Sequence, residues 1–188
     1  MSLDLFDKKF KKVKNKIDIK KKILELYKRE KSIKFKNEKK ILGIHFRGTT
    51  YKVARNHSFP LNKSLMKENI DNLMKKYKYN KIFLVTEEKN YINFFKKNYE
   101  NKLIYCDSFR SSREDAFQIY PRKLHRYKLG KEIFIETLLL AQCKGITYVK
   151  SNVSSAAIFF SKAKLKTHPL FIGYNSRNKY IAKWLWYL

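Results

Sequence analysis

Apolar positions along the chain follow two alternating rhythms, short runs of strand type and longer stripes at helical spacing. Ile41 to Phe46 reads as an apolar strand that runs into Arg47 and a Gly-Thr turn at Gly48 and Thr49. From Asn62, an N-cap behind Pro60, the residues Leu65, Met66, Ile70, Leu73, Met74 and Tyr77 mark one helix face. Lys81 to Val85 gives a second strand, and Thr86, Glu87 and Glu88 lead into a helix with Tyr91, Phe94 and Phe95 inward. Lys102 to Cys106 reads as a third strand, followed by a long polar stretch from Asp107 to Gly130. Loops of that length in compact domains are usually functional or mobile.

The rhythm then resumes. Lys131 to Cys143 predicts a strongly apolar helix stopped by Gly145, then a strand at Ile146 to Val149 and a helix over Ser151 to Ser161. Leu170 to Ile172 is expected as a last strand and Ser176 to Leu188 as a closing helix. Before all of this, Asp4 to Lys36 carries apolar stripes separated by lysines, read as two helices and a joint with a solvated basic face. Alternation of strand and helix predicts an α/β fold, a Rossmann-like parallel sheet with helices on both faces.

Composition narrows the options. With 188 residues, 44% hydrophobic and 15% aromatic, the chain can bury a core and is not disordered. Its formal charge of +28 admits three explanations. A compositional habit spreads lysine through every segment and accounts for most of the charge. Nucleic-acid binding finds little support, because no zinc-ligand spacing, helix-turn-helix pattern or Arg-rich tract accompanies the lysines. Attraction to an anionic membrane surface is the third, since lysines near lipid headgroups each add attraction. Cys106 and Cys143 have no metal-ligand companions and are expected in the core. No secretory segment is read at the start, and no run of about 18 apolar residues occurs, so a cytoplasmic setting is expected, with contact at the inner face of the membrane as a peripheral option.

Strands of a parallel sheet all point the same way, so residues just past their ends gather along one edge. His45, Arg47 and Thr49, then Thr86, Glu87 and Glu88, then Asp107, then Ser151, Asn152 and Ser154 are the groups expected there. An arginine at a strand end can present a rigid fork of donors, although such a residue also marks nothing more than the chain reaching water. A helix that opens on Ser151, Asn152 and Ser154 offers free amides and a positive dipole end to a phosphate, or is simply capped. Glu136 stands inside the apolar helix, where it either occupies a wet stripe or faces a cleft in which its oxygens can accept paired hydrogen bonds from a guanine edge. With five glycines, neither the dinucleotide fingerprint nor a P-loop can be built.

The run Gly43-Ile-His-Phe-Arg-Gly-Thr, the strand Lys81-Ile-Phe-Leu-Val-Thr followed by two acids, the helix Glu132-Ile-Phe-Ile-Glu-Thr-Leu-Leu-Leu-Ala-Gln-Cys and the turn Ser151-Asn-Val-Ser occur in that order between Ile41 and Phe160. Together they resemble the C-terminal, donor-binding half of the fucosyltransferase superfamily that includes α-1,6-fucosyltransferases and the nodulation fucosyltransferase. The resemblance implies one half of a GT-B glycosyltransferase that binds GDP-fucose or a related nucleotide sugar. It further implies inverting transfer to a glycan or lipid-linked glycan, with no cofactor and no metal. Carried over by motif, Arg47 would neutralise the leaving diphosphate as the catalytic group, and His45 would lie against the nucleotide. Thr86 would line the site, Glu136 would read guanine, and Ser151, Asn152 and Ser154 would hold phosphate oxygens.

The chain departs from that pattern where Thr50, Glu87, Glu88 and Glu136 stand in place of aspartates, so the group that orients Arg47 is expected to be missing. Residues 1–38 are expected as a basic helical segment packed on a donor domain of residues 39–188, with the N-terminal GT-B half absent from this chain. The closing Trp184 and Trp186 either complete the core or meet another surface. The competing reading is a non-catalytic basic module that holds nucleic acid or anionic membrane.

Overall fold

A computed structural model describes residues 17–48, 57–59, 61–112, 116–161, 165–178 and 180–181. Five strands form one parallel sheet: β1 (Ile41–His45), β2 (Lys81–Val85), β3 (Leu103–Ile104), β4 (Gly145–Val149) and β5 (Lys166–Leu170). The described helices are α1 (Lys21–Phe35), α2 (Lys63–Tyr77), α3 (Lys89–Tyr99), α4 (His125–Leu140) and α5 (Asn152–Phe160). The strand order is β3-β2-β1-β4-β5. The chain therefore winds outward from β1 through β2 to β3, then crosses back through α4 to lay β4 on the other side of β1. The boundary between β1 and β4 is the topological switch point, where α/β sheets open a crevice beyond the strand ends.

Every residue of β1 is buried, as a central strand covered on both faces requires. Its side chains divide by parity. Leu42 and Ile44 join Met66 and Ile70 of α2 and Ile92 and Phe95 of α3. Ile41 joins Phe83, with Phe35 of α1, Ile135 and Leu139 of α4 and Ala157 of α5 on the opposite face. Helices thus cover both faces, as the alternating pattern predicts. A side chain at Gly43 would press on Leu140 Cδ2 at 2.9 Å, so this position lets α4 approach the sheet closely.

Element boundaries differ from the sequence reading where local chemistry is weak. The third strand shortens from the expected Lys102 to Cys106 to Leu103–Ile104, with a turn of 3-10 helix at Glu100–Lys102 before it. α4 starts six residues before Lys131, because His125 and Leu129 are buried and anchor its first turns despite Gly130. Gly145 is not a helix stop. It opens β4, packed so tightly that a Cβ would strike the Tyr79 ring. The last strand is Lys166–Leu170 rather than Leu170 to Ile172, and Pro169 is tolerated because β5 pairs only with β4 at the sheet edge.

Asn62 caps α2, its Oδ1 accepting from the Leu65 amide at 2.9 Å. Cys106 and Cys143 are both buried free thiols, in line with core packing. α1 packs on α4, where Lys31 Nζ donates to Gln142 at 3.0 Å, and Phe35 sets its ring edge-on to Phe83 at 5.1 Å. The first helix expected in Asp4 to Lys36, most of the closing helix, Thr49, Thr50, Trp184 and Trp186 lie outside the described residues. Among the described residues no helix is long and apolar enough to cross a membrane.

Candidate functional site

Parity carries the strand ends into the site. His45 continues the face of Ile41 and Gly43 toward α5, and Arg47 follows two residues on; Glu87 follows Phe83 and Val85 in the same way from β2. Arg47 meets Glu87 there. Its Nε donates to Glu87 Oε2 at 3.1 Å and its Nη2 lies 3.0 Å from the same oxygen, with both side chains about a quarter exposed. The expected loss of an orienting acid is corrected by this contact, since Glu87 from the neighbouring strand orients the guanidinium.

His45 is buried, and burial together with the Arg47 charge lowers its pKa to about 3. The ring is neutral. Its Nδ1 lies 3.1 Å from Ser151 Oγ, which stitches the end of β1 to the start of α5 across the switch point. Ser151 and Ser154 form a capping box: the Ser154 amide donates to Ser151 Oγ at 3.2 Å and the Ser151 amide to Ser154 Oγ at 2.9 Å. Ser154 Oγ donates in turn to the Ser151 carbonyl at 2.9 Å. The arrangement that satisfies every group has the Ser151 hydroxyl donating to His45. Both serine hydroxyls are therefore committed inside the cap, and what α5 offers a ligand is its N-terminal amides at Asn152 and Val153.

The C-terminal edge opens into a cleft of about 130 Å3, lined among others by His45, Arg47, Thr86, Glu87, Glu136 and Val153. Arg47 and the first turn of α5 thus border one space. Thr86 is buried, and its Oγ1 accepts from the Glu88 amide at 3.2 Å. Glu136 faces the cleft rather than a solvated stripe, with its side chain 5% exposed. Asp107 is not in the cleft; it is solvent-facing and pairs with Lys34 at 3.0 Å. Pockets that enclose a drug-sized ligand run to roughly 300–1,000 Å3, so this cleft encloses only part of a ligand of that size.

The remaining wall comes from the polar loop, and here sequence reasoning missed residues. Arg110 is 8% exposed and fully engaged: Nε donates to the Thr86 carbonyl at 3.1 Å, Nη1 to the Ser108 carbonyl at 2.8 Å and Nη2 to Glu136 Oε1 at 3.1 Å. Ser108 Oγ donates to the same oxygen at 2.8 Å. Burial pushes the Glu136 carboxyl up to about 7, with Arg110 and Ser108 pulling it down. One turn earlier, Glu132 takes both terminal nitrogens of Arg122 at 2.7 and 2.8 Å and the Phe109 amide at 3.1 Å. His125 accepts from Arg122 Nε at Nδ1, 3.1 Å away, so its Nε2–H donates to the Ala116 carbonyl at 2.7 Å. The signal was available: carboxylates at 132 and 136 share a helix face and require cationic partners, and the loop holds Arg110 and Arg122.

Phe109, Phe117, Leu129 and Ile133 supply apolar lining, beside the carboxylates of Glu132 and Glu136 and the Arg47 cation. A flat heterocycle fits the apolar lining and an anion fits the cation. Among the described residues no group of three or more His, Cys, Asp or Glu is placed to hold a metal ion.

No family model and no curated protein sequence matches the chain. Solved structures match in fold. The NodZ α-1,6-fucosyltransferase co-crystallised with GDP aligns at a TM-score of 0.52 and 14% identity, over 78% of this chain and 42% of that one. The fucosyltransferase NodZ from Bradyrhizobium aligns at 0.50 and 14%, over 78% and 43%. POFUT1 in complex with GDP-fucose aligns at 0.51 and 11%, over 80% and 46%. At these identities the likeness is one of fold, and the chain spans less than half the length of each of these three proteins.

Proposed function

We propose that this chain is the donor-nucleotide domain of a fucosyltransferase-like glycosyltransferase of GT-B type. It takes GDP-fucose or a related nucleotide sugar and works with a second half that supplies the acceptor site. The observation that carries this reading is the pairing at the switch point of a guanidinium fixed by Glu87 with the N-terminus of α5. Solved structures of the same fold contain GDP and GDP-fucose.

In this reading the diphosphate lies between Arg47 and the amides of Asn152 and Val153. Departure of the sugar leaves negative charge on the β-phosphate, and a preorganised cation and helix dipole stabilise that charge as it grows. In this reading no metal is needed: an acceptor hydroxyl displaces the diphosphate from the opposite face of the sugar, which inverts the anomeric centre, and its proton passes to a base supplied by the second half. His45 and Thr86 shape the wall behind the nucleotide. Guanine rests on the apolar lining, where Glu136 Oε2 accepts from its edge while Oε1 stays with Arg110 and Ser108. In this reading residues 39–188 are the donor domain and residues 1–38 a basic segment, the described helix α1 of which packs on the domain through Phe35. The acceptor is a glycan or lipid-linked glycan presented on the cytoplasmic side.

The test is calorimetric titration with GDP and UDP, each in the presence and absence of EDTA. Binding of GDP in preference to UDP, unchanged by EDTA and weakened by Arg47→Ala, is the expected result. Equal binding of the two nucleotides removes the guanine assignment, and binding of neither overturns the donor reading.

A further inference from the structure

The loop that walls the cleft leaves a second feature unexplained. Tyr120, Leu124 and Tyr127 are large apolar side chains on this loop and at the start of α4, each more than 60% exposed. Leu124 is held there by a left-handed backbone (φ 55) that a branched apolar residue adopts reluctantly. The stretch 116–131 also carries Arg122, Lys123, Arg126, Lys128 and Lys131 and no acid, after Glu114 and Asp115 have closed the preceding segment. Arg122 is spent on Glu132, and Arg126 lies over the Tyr120 ring at 5.2 Å, whereas Lys123 is exposed.

Exposed tyrosines and a leucine interleaved with cations, on a strip lacking counter-charge, match the chemistry of an anionic bilayer interface. There aromatic rings settle at headgroup depth and each nearby cation adds attraction. A nucleic acid would also attract the cations, but Leu124 has nothing to gain from a phosphate backbone. The strip sits at the cleft mouth, because Ala116, Phe117 and Leu129 line the cleft from within.

We infer that Tyr120, Leu124 and Tyr127, with Lys123 and Arg126, form a seat for an anionic lipid surface, which holds the mouth of the cleft against the membrane. The seat does not depend on which nucleotide the cleft takes. It does add a consequence to that reading: an acceptor carried in the lipid would meet the donor without leaving the surface.

The chain's own cysteines, Cys106 and Cys143, are buried, so Leu124→Cys creates a single exposed thiol for an environment-sensitive dye such as NBD. With the full chain, vesicles of phosphatidylcholine and phosphatidylglycerol should shift the dye emission to the blue and raise its intensity, and phosphatidylcholine alone should not. The charge-neutral double variant Leu124→Asn with Tyr127→Ser, checked for an unchanged thermal transition, should lower co-sedimentation with the anionic vesicles roughly tenfold, equivalent to about 1.4 kcal/mol. A dye that stays in water while the protein sediments would mean that lysines elsewhere make the contact, and would overturn the seat. So would unaltered sedimentation of the double variant, or a dye response to RNA that vesicles fail to produce.

Discussion

Arg47 and Glu87 come from the ends of adjacent strands, and two nitrogens of the arginine converge on one carboxylate oxygen at 3.1 and 3.0 Å. The guanidinium is thereby aimed before any ligand arrives, and Arg47 lines the cleft in that orientation. Arg47→Ala is expected to weaken GDP binding by about 1.5–3 kcal/mol, the scale of a charge-assisted hydrogen bond. Glu87→Gln should weaken it less, because the cation survives while its orientation loosens. Calorimetry on the three proteins tests the order; equal loss in both variants would mean that Glu87 itself contacts the ligand.

Arg110 and Glu136 are the most deeply buried ion pair in the described structure, at 8% and 5% exposure. Removing one partner strands the other charge. Arg110→Met should therefore cost about 3–5 kcal/mol in chemical denaturation. The paired change Arg110→Met with Glu136→Leu should recover much of that loss. A single variant within about 0.5 kcal/mol of the unmodified protein would show that the pair does not hold the loop.

The site's two buried titrations oppose each other. Glu136 has a folded pKa of about 7 against an ordinary 4.5, so its contribution to stability is present below 4.5 and is lost as pH rises through 7. His45 has a folded pKa of about 3 against 6.5, so its contribution is present above 6.5 and is lost as pH falls toward 3. Between 4.5 and 6.5 the slopes partly cancel. Glu136→Gln should expose the histidine alone, giving stability that climbs with pH across that interval in urea titrations at stepped pH. The same variant should flatten the GDP affinity profile, which in the unmodified protein should fall as pH drops below about 7 and the carboxylate gains its proton.

Much of this arrangement is legible in the sequence, because a parallel sheet converts local pattern into position. The strand Ile41–His45 is apolar throughout and ends in His45 and Arg47, so its place in the sheet centre and its polar residues at the edge follow from one another. The Ser151 cap is equally local, being four consecutive residues that satisfy their own amides. What escapes is the half of the site that depends on distant partners. Arg110 looks like any loop arginine until the fold sets it 3.1 Å from Glu136, and Glu87, expected at the sheet edge, becomes the acid that orients Arg47 only once β2 lies beside β1. β5 escapes for another reason. Lys166-Thr-His-Pro-Leu has no apolar rhythm because an edge strand is only half covered, and its pairing with β4 defines it.

Ser151 joins the helix cap to His45, so it can be tested for both roles at once. Ser151→Ala removes the acceptor for the Ser154 amide and should cost about 1 kcal/mol, read as a lowered denaturation midpoint. It also deprives the buried His45 Nδ1 of its donor. Ser151→Thr keeps the hydroxyl and should restore both. If Ser151→Ala lowered GDP affinity while leaving the midpoint untouched, the hydroxyl would be a ligand contact rather than part of the cap.

Gly48, immediately after Arg47, tests how closely the strand end must approach its surroundings. A Cβ there would run into the Glu88 carboxyl group and would lie 2.8 Å from the Tyr91 hydroxyl. Glu88 is 3% exposed, and its backbone is tied to the loop, since the Lys89 amide donates to the Ser111 carbonyl at 3.0 Å. At that depth the carboxyl group has no open solvent beside it to swing into. Gly48→Ala is therefore expected to destabilise the fold by about 1–3 kcal/mol, the range for forcing atoms into a filled site. It should also displace the backbone that carries Arg47, so GDP affinity falls more steeply than stability alone accounts for at temperatures well below the transition. Gly130, whose Cβ would meet nothing within 4 Å, supplies the control: Gly130→Ala lies inside α4 and should raise the melting temperature slightly through helix propensity. Unchanged stability in Gly48→Ala would mean that Glu88 yields freely, and the tight approach of β1 to the loop would no longer explain how Arg47 is held.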